Sequence, residues 1–309
     1  MQAMMVTAFG GPEVLQAAQL PLPERKHAQL LIKNCAAAVN PIDAKICEGT
    51  NFVCKARTGD PLPWTLGFDF AGIVEEADAN SSFKKGDRVA GSAGAPLHPC
   101  AYAQYLCADE SAVVKIPDNI SFAQASALIT AGLTALSISD MIADEQNNVF
   151  IAGGSGGVGH LLSRYLKERN FKVSASCSSE HMDFLRPYVD HVYDYKKNLP
   201  QSLTATFDVV IDMPGGSIGK SLYSLLKKDG LMITVPTITK DEVIAACPQG
   251  MSAKGVHCER SAEHYSLLMH YASLGLVPHI SKTLPLTQAV EALRMIKSGH
   301  TTGKIVLIP

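Results

Sequence analysis

Residues 149–160 read VFIAGGSGGVGH: a short apolar run, then five glycines within seven residues. An apolar run of this length that ends in glycine has the pattern of a buried strand. So bare a continuation implies that another group occupies the space its side chains would fill. Gly153, Gly156 and Gly159 stand at G-x-x-G-x-x-G spacing. The first permits a tight turn off the strand, the second lets main chain approach a bulky anion, and the third lets a following helix pack closely on the sheet. Free N–H groups at the start of that helix, helped by its dipole, face the anion. No Lys-Ser or Lys-Thr pair follows, so the stretch is not a mononucleotide phosphate loop. Strand before and helix after point to a dinucleotide site contacted by Gly153, Ser155, Gly156, Gly157, Val158 and Gly159. The alternative is a glycine-rich turn that holds nothing.

The surroundings match a doubly wound sheet. After KIPDNIS the chain alternates strands, expected at 149–153, 171–176, 191–195, 207–212, 231–235 and 255–258, with helices. Two of the helices are expected at 157–169 and 217–228, ending near Asn170 and at Asp229-Gly230, residues that tolerate the left-handed turn closing a helix. Residues 1–118 read differently, as short β-like runs divided by PLPERK, FKKGDRV and GSAGAPLHP, the texture of a mostly antiparallel, partly open β unit. Segment 121–139 carries no charge but is rich in Ala, Ser, Thr and Gly, with SFAQ as a capping box. A buried helix is expected there rather than a membrane span.

The end of the second strand decides between the two nicotinamide dinucleotides. An NAD site places Asp or Glu about 20 residues beyond the glycines to hold the ribose hydroxyls. Here the stretch is KVSASCSSEH, with Ser174, Ser176, Ser178 and Ser179 in that region and Glu180 coming late. Small hydroxyls accept a 2′-phosphate that a strand-end carboxylate would repel, so NADPH is favoured over NADH. A second helix is expected to start near Ser179 and add N–H donors. Tyr195 and Lys196, ending the third strand, complete the pocket. The other reading of these serines is a plain loop.

Composition removes several classes of partner. Lys and Arg number 27 against 29 Asp and Glu, a balance that offers no footprint for nucleic acid or an anionic membrane. The first residues lack the basic and apolar regions of a signal peptide. Eight cysteines stand without any C-x-x-C pair, which suggests reduced thiols and a cytoplasmic setting.

Taken in order, MVTAFGGPEVL, AAAVNPIDAKICEG, LGFDFAGIVEE, FKKGDRVAG, YAQYLCADE, AGLTAL, IAGGSGGVG and TTGKIVLIP resemble the medium-chain dehydrogenase/reductase superfamily. The resemblance is to its zinc-free quinone-oxidoreductase, or zeta-crystallin-like, branch. It implies an α/β protein: a GroES-like β-rich substrate domain over 1–118, completed by 274–309, and a Rossmann domain over 119–273, with the active site in the cleft between them. Zinc-dependent members carry Cys where this chain has Pro41-Ile42-Asp43, and His-Glu where it has Phe68-Asp69. Of their four-Cys lobe only Cys100 has a counterpart here, and with His98 it is too little for a zinc site. Reduction of an isolated ketone concentrates charge on one oxygen, which zinc stabilises. Hydride addition to a quinone or the β-carbon of an enone delocalises the charge, and hydrogen-bond donors with a proton source suffice.

The resemblance places Asn40 near the nicotinamide, Asp43 beside it, and Lys45 toward the substrate as enolate stabiliser or proton relay, against the alternative of a solvated lysine. It gives Asp69 a structural role, sets Thr130 and Thr134 on the helix facing the cleft, and makes Met213, Val235 and Thr237 the wall of the nicotinamide site. Lys304 is a further cofactor contact. His160, His257 and His264 read as surface or core residues. The substrate pocket falls to loops 50–63 and 93–101. A twofold dimer is implied through the edge strand at KGVHCE. Two alternatives stay open: an enoyl-thioester reductase of the same fold, for which no Arg cluster is evident, and a redox-inactive NADPH-binding sensor or structural protein.

Overall fold

The computed structural model describes residues 1–94, 97–197 and 199–309. Ala95 and Pro96, part of the expected substrate loop 93–101, lie outside the described residues. The chain opens with β1 (Gln2–Val6), β2 (Leu15–Gln19) and β3 (Gln29–Ala38). β3 has ten residues, seven of them buried, with Lys33 exposed. The helix α1 (Pro41–Cys47) follows directly. Asn40 has extended backbone, Pro41 takes the first helical position where no N–H is needed, and Asp43 accepts from the Asn40 N–H at 2.8 Å. After α2 (Phe52–Ala56) come β4 (Trp64–Thr65), β5 (Asp69–Glu76), β6 (Arg88–Ser92), β7 (Tyr105–Asp109) and β8 (Val113–Lys115). The long α3 (Phe122–Asp140) begins with the expected capping box: Ser121 N donates to Gln124 Oε1 at 3.1 Å, and Gln124 N to Ser121 Oγ at 3.2 Å. Among the described residues it is the helix long and apolar enough to cross a membrane, yet 78% of its apolar window is buried inside the protein.

A parallel six-stranded sheet follows: β9 (Asn148–Ala152), β10 (Lys172–Cys177), β11 (His191–Asp194), β12 (Phe207–Asp212), β13 (Leu226–Thr234) and β14 (Ser252–Gly255). Its spatial order is β11-β10-β9-β12-β13-β14, so the winding reverses between β9 and β12. Ligands of such sheets bind at the carboxyl ends beside that reversal. The connecting helices are α4 (Gly159–Glu168), α5 (Met182–Leu185), α6 (Gly216–Ser221) and α7 (Lys240–Ala245). Phe150, Phe207, Val210, Met232 and Val243 form a core on one face.

Three local expectations differ from the structure. The helix expected over 217–228 stops at Ser221 and passes through a 3-10 turn into β13, which already contains Lys227, Lys228 and Asp229. The turn already buries Leu222 and Leu225, and Asp229 takes its positive φ of 65° at an irregularity within β13 rather than as a helix cap. The last strand lies three residues earlier than 255–258. The helix expected near Ser179 is a 3-10 turn, Ser179–His181, followed by the four residues of α5.

The chain closes with α8 (Ala262–Ser273), β15 (Ile280–Pro285), α9 (Ala289–Lys297) and β16 (Lys304–Ile308). These last strands join β3 and β5–β8 in a seven-stranded sheet of order β15-β16-β3-β5-β6-β8, with β7 also on β3. It is antiparallel except for β15 with β16. β1 lies between β2 and β4 in a small second sheet. Two units result, Met1–Thr130 with Arg260–Pro309, and Ala131–Glu259. The limits fall inside the span assigned from sequence to the nucleotide domain. Ala127 at the start of α3 packs with Ala36, Ala38 and Val306, and α8 lies on β8, so both segments go with the first unit.

Candidate functional site

In the second unit, the glycine turn is built by contacts that a side chain would block. Gly153 has φ 86°, and its N–H and that of Gly154 both donate to Ser176 O, at 3.1 and 2.8 Å, tying the turn to the end of β10. A Cβ on Gly159 would stand 2.5 Å from Gly153 O and 2.8 Å from Gly154 Cα. The start of α4 therefore presses against the turn as a glycine there requires. A Cβ on Gly156 would meet nothing closer than Gly153 O at 3.5 Å, so that side is open. Within the unit, the amides of Gly157, Val158 and Gly159 donate to no other group. Open main chain with free donors at a helix start is an anion-binding arrangement. Beneath it His160 is buried in the core, its Nδ1 2.7 Å from Gly156 O.

The ends of the neighbouring strands surround the turn. β10 ends without a carboxylate: Ser176 and Ser178 are buried, Ser179 is exposed, and the exposed Glu180 faces Lys196 Nζ at 3.9 Å. Tyr195, 54% exposed, is held beside this end by its N–H to Cys177 O at 3.1 Å. On the other side of the reversal, Met213 lies against Gly153, whose added Cβ would be 3.2 Å from that of Met213. Val235 N donates to Asp212 O at 2.9 Å, and Thr237 is exposed beyond it. The buried Asp212 carboxylate accepts from Gly215 N (2.7 Å) and Thr234 Oγ1 (2.8 Å), fixing both strand ends. Burial raises its pKa.

In the first unit, the residues around NPID converge on a buried network. Asn40 Nδ2 donates to Asp69 Oδ2 at 2.8 Å, and Lys304 Nζ donates to Asn40 Oδ1 at 2.5 Å and to Val39 O at 2.9 Å. Thr130 donates to Asp69 through Oγ1 (2.6 Å) and N (3.1 Å). Asp69 thus has the structural partners expected for a buried carboxylate. Asp43 Oδ2 accepts from Asn40 N and, at 2.9 Å, from Tyr102 OH, while its Oδ1 is buried without a hydrogen bond.

Two carboxylates and one ammonium thus share a space closed to water. Burial lifts the Asp43 pKa to about 7, a shift that Asp69 adds to and that Asn40, Tyr102 and Lys304 oppose. Burial lowers the pKa of Lys304 against the pull of Asp69 and Asp43. It raises that of Tyr102, with Asp43 adding to the shift. Lys45, two residues beyond Asp43 in α1, is half-buried, and burial lowers its pKa, with Glu48 opposing. Thr134 is buried further along α3. Two members of these clusters were missed from sequence: Tyr102, which nothing local marks, and His181, visible only as the histidine closing SSEH.

Among the described residues no three His, Cys, Asp or Glu side chains come together as a metal site would need. His98 is exposed, and the Cys100 thiol lies 3.8 Å from Cys107 O.

Comparison with known proteins reaches both units, and one of the two family matches runs from the second unit into the first. Residues 26–118 match the alcohol dehydrogenase GroES-like domain, and residues 189–307 the zinc-binding dehydrogenase family. The solved quinone oxidoreductase from Coxiella burnetii superposes with a TM-score of 0.95 at 35% identity, covering 100% of this chain and 99% of that one. The quinone oxidoreductase of Sus scrofa is 31% identical over 334 residues, covering 100% of this chain and 98% of its own. An NADPH-dependent alkenal/one oxidoreductase, chloroplastic, of Arabidopsis thaliana is 29% identical over 325 residues, covering 100% and 80%. The likeness extends through both units, and the chain belongs to the medium-chain dehydrogenase/reductase superfamily, as an oxidoreductase with quinone oxidoreductases among its relatives.

Proposed function

We propose that this protein is an NADPH-dependent reductase of quinones or α,β-unsaturated carbonyls that works without zinc. One observation carries the cofactor reading: the open glycine turn, with free amides at Gly157, Val158 and Gly159, stands beside a strand end that offers Ser176 and Ser178 where an NAD site offers a carboxylate. The names of the relatives support the substrate class, a quinone for the Sus scrofa protein and an alkenal or enone for the Arabidopsis one. NADPH, when bound, supplies a hydride to a quinone or to the β-carbon of an enone, and one proton completes the reduced product. The residues of this chain have the other tasks. Gly153, Ser155, Gly156, Gly157, Val158 and Gly159 hold the pyrophosphate side, and Ser176, Ser178, Ser179 and Tyr195 the 2′-phosphate. Met213, Val235 and Thr237 flank the nicotinamide. Asn40, oriented by Asp69 and Lys304, and Lys45 stabilise the oxygen that gains charge. Thr130 steadies Asp69, and Asp43 stores a proton beside Asn40.

Support for a twofold dimer comes from the free edge of β14, since exposed edges invite pairing. Eight cysteines without a disulfide support a cytoplasmic setting.

The test is a spectrophotometric panel of NADPH and NADH against quinones, enones and enoyl thioesters. NADPH oxidation with a quinone or an enone is the expected result. Turnover of enoyl thioesters alone, or tight NADPH binding with no turnover, would overturn the substrate reading.

A further inference from the structure

We infer that His181 is the residue that distinguishes a 2′-phosphorylated nucleotide from an unphosphorylated one. The inference rests on the NADPH reading above and names the group that would enforce it.

The strand end has serines but no arginine, and Lys196 beside it faces Glu180 at 3.9 Å. His181 supplies a ring nitrogen there. Its Nδ1 lies 3.2 Å from Ser178 Oγ, at the end of β10, and 3.5 Å from Ser155 Oγ, in the turn after β9. Among the described residues these three side chains have no other hydrogen-bonding partners. No main-chain carbonyl or carboxylate has captured them, although both serines are buried. Two hydroxyls and an imidazole that satisfy only one another retain donor capacity for a phosphate oxygen.

Their position is also specific. The two strands that supply the serines are adjacent, with Ala152 in register with Ser176. At this corner of a doubly wound sheet the 2′-position of the adenosine ribose is read. The main-chain bond from His181 N to Ser178 O, 3.0 Å, fixes the ring over the strand end through one 3-10 turn.

The surrounding charges leave room for an anion. Glu180 is the nearest acid along the chain, and it is exposed and faces Lys196 at 3.9 Å. Asp194, at the end of β11, is occupied in accepting the Lys196 N–H at 2.9 Å. A hydrogen bond to a charged acceptor is about twice as strong as one between neutral groups, so losing it should cost on the order of ten- to a hundredfold in affinity.

The test measures binding of 2′,5′-ADP and 5′-AMP by calorimetry, in the natural protein and in His181→Ala and His181→Arg. The natural protein should bind 2′,5′-ADP tighter. His181→Ala should lose at least about tenfold for 2′,5′-ADP with 5′-AMP affinity retained, which also shows that the variant is folded. His181→Arg should recover the preference. If His181→Ala weakens both ligands equally or neither, His181 does not read the phosphate, and the NADPH reading stands on the serines. If the natural protein shows no preference for 2′,5′-ADP, the NADPH reading fails and this inference with it.

Discussion

Replacing Asp43 by Asn tests the charge state of the buried network without removing its hydrogen bonds. An amide oxygen can accept from Asn40 N and Tyr102 OH as Oδ2 does, and the amide nitrogen takes the place of the unpartnered Oδ1. What is lost is a proton that moves with pH. In the unfolded chain an aspartate gives up its proton near pH 4. In the folded protein Asp43 holds it up to about pH 7. Below pH 4 both states are protonated and the contribution of Asp43 to stability is fully present. As pH rises the unfolded state releases its proton first, so that contribution declines and is gone above pH 7. The slope is just over 1 kcal/mol per pH unit in the middle of that window, and between pH 5 and pH 8 the loss is roughly 2–3 kcal/mol. Urea unfolding at pH 5, 6, 7 and 8 measures it. The natural protein should lose that much more stability across the series than Asp43→Asn. Infrared spectra at pH 6 should show the carbonyl band of a neutral carboxylic acid in the natural protein and not in the variant. Parallel stability curves together with no such band would show that Asp43 is ionised throughout, and that Lys304 alone balances both carboxylates.

Lys304→Met removes the only ammonium of the network while keeping its bulk, and leaves Asp69 buried without a cation. Thermal unfolding should reveal a loss of about 3–5 kcal/mol. Gly159→Ala places a methyl 2.5 Å from Gly153 O, so the turn must open. Stability should fall by about 1–3 kcal/mol, and nucleotide affinity, followed by fluorescence titration, should fall with it. Lys45→Met should lower the rate constant for enone reduction in stopped-flow assays while NADPH affinity stays unchanged, and unchanged turnover would remove Lys45 from the mechanism. Light scattering should give the mass of a dimer, and Lys254→Pro, which obstructs the edge of β14, should shift it toward a monomer.

The sheet of the second unit was legible because its signals are local. An apolar run, a glycine triplet and a helix follow one another within a dozen residues, and β12 was placed at both of its ends. The capping box at Ser121 and Gln124 is equally local. Helix 217–228 failed because leucines at 222, 225 and 226 satisfy a tighter turn as well as an α-helix, and only pairing with β12 decides where the strand begins. The network in the first unit is the opposite case. Asn40 and Asp43 belong to one short motif, but Asp69, Tyr102, Thr130 and Lys304 come from four distant places in the chain. Sequence likeness named all of these except Tyr102. It did not show that they contact one another, nor that Lys304 and Thr130 are bonded to protein groups.

The order of β15-β16-β3 in the first sheet also bears on synthesis. Translation delivers β3 before the parallel sheet and β16 only after all six strands of that sheet have emerged. Until then β3 has an open flank beside Ala37 and Ala38, and the two acids near Asn40 lack the Lys304 ammonium. The nucleotide-binding unit can therefore form on the ribosome while the first unit waits for β16. A chain that stops before residue 304 keeps the glycine turn but exposes an unpaired strand and two buried acids with no lysine. Such a product would offer that unpaired strand to proteases.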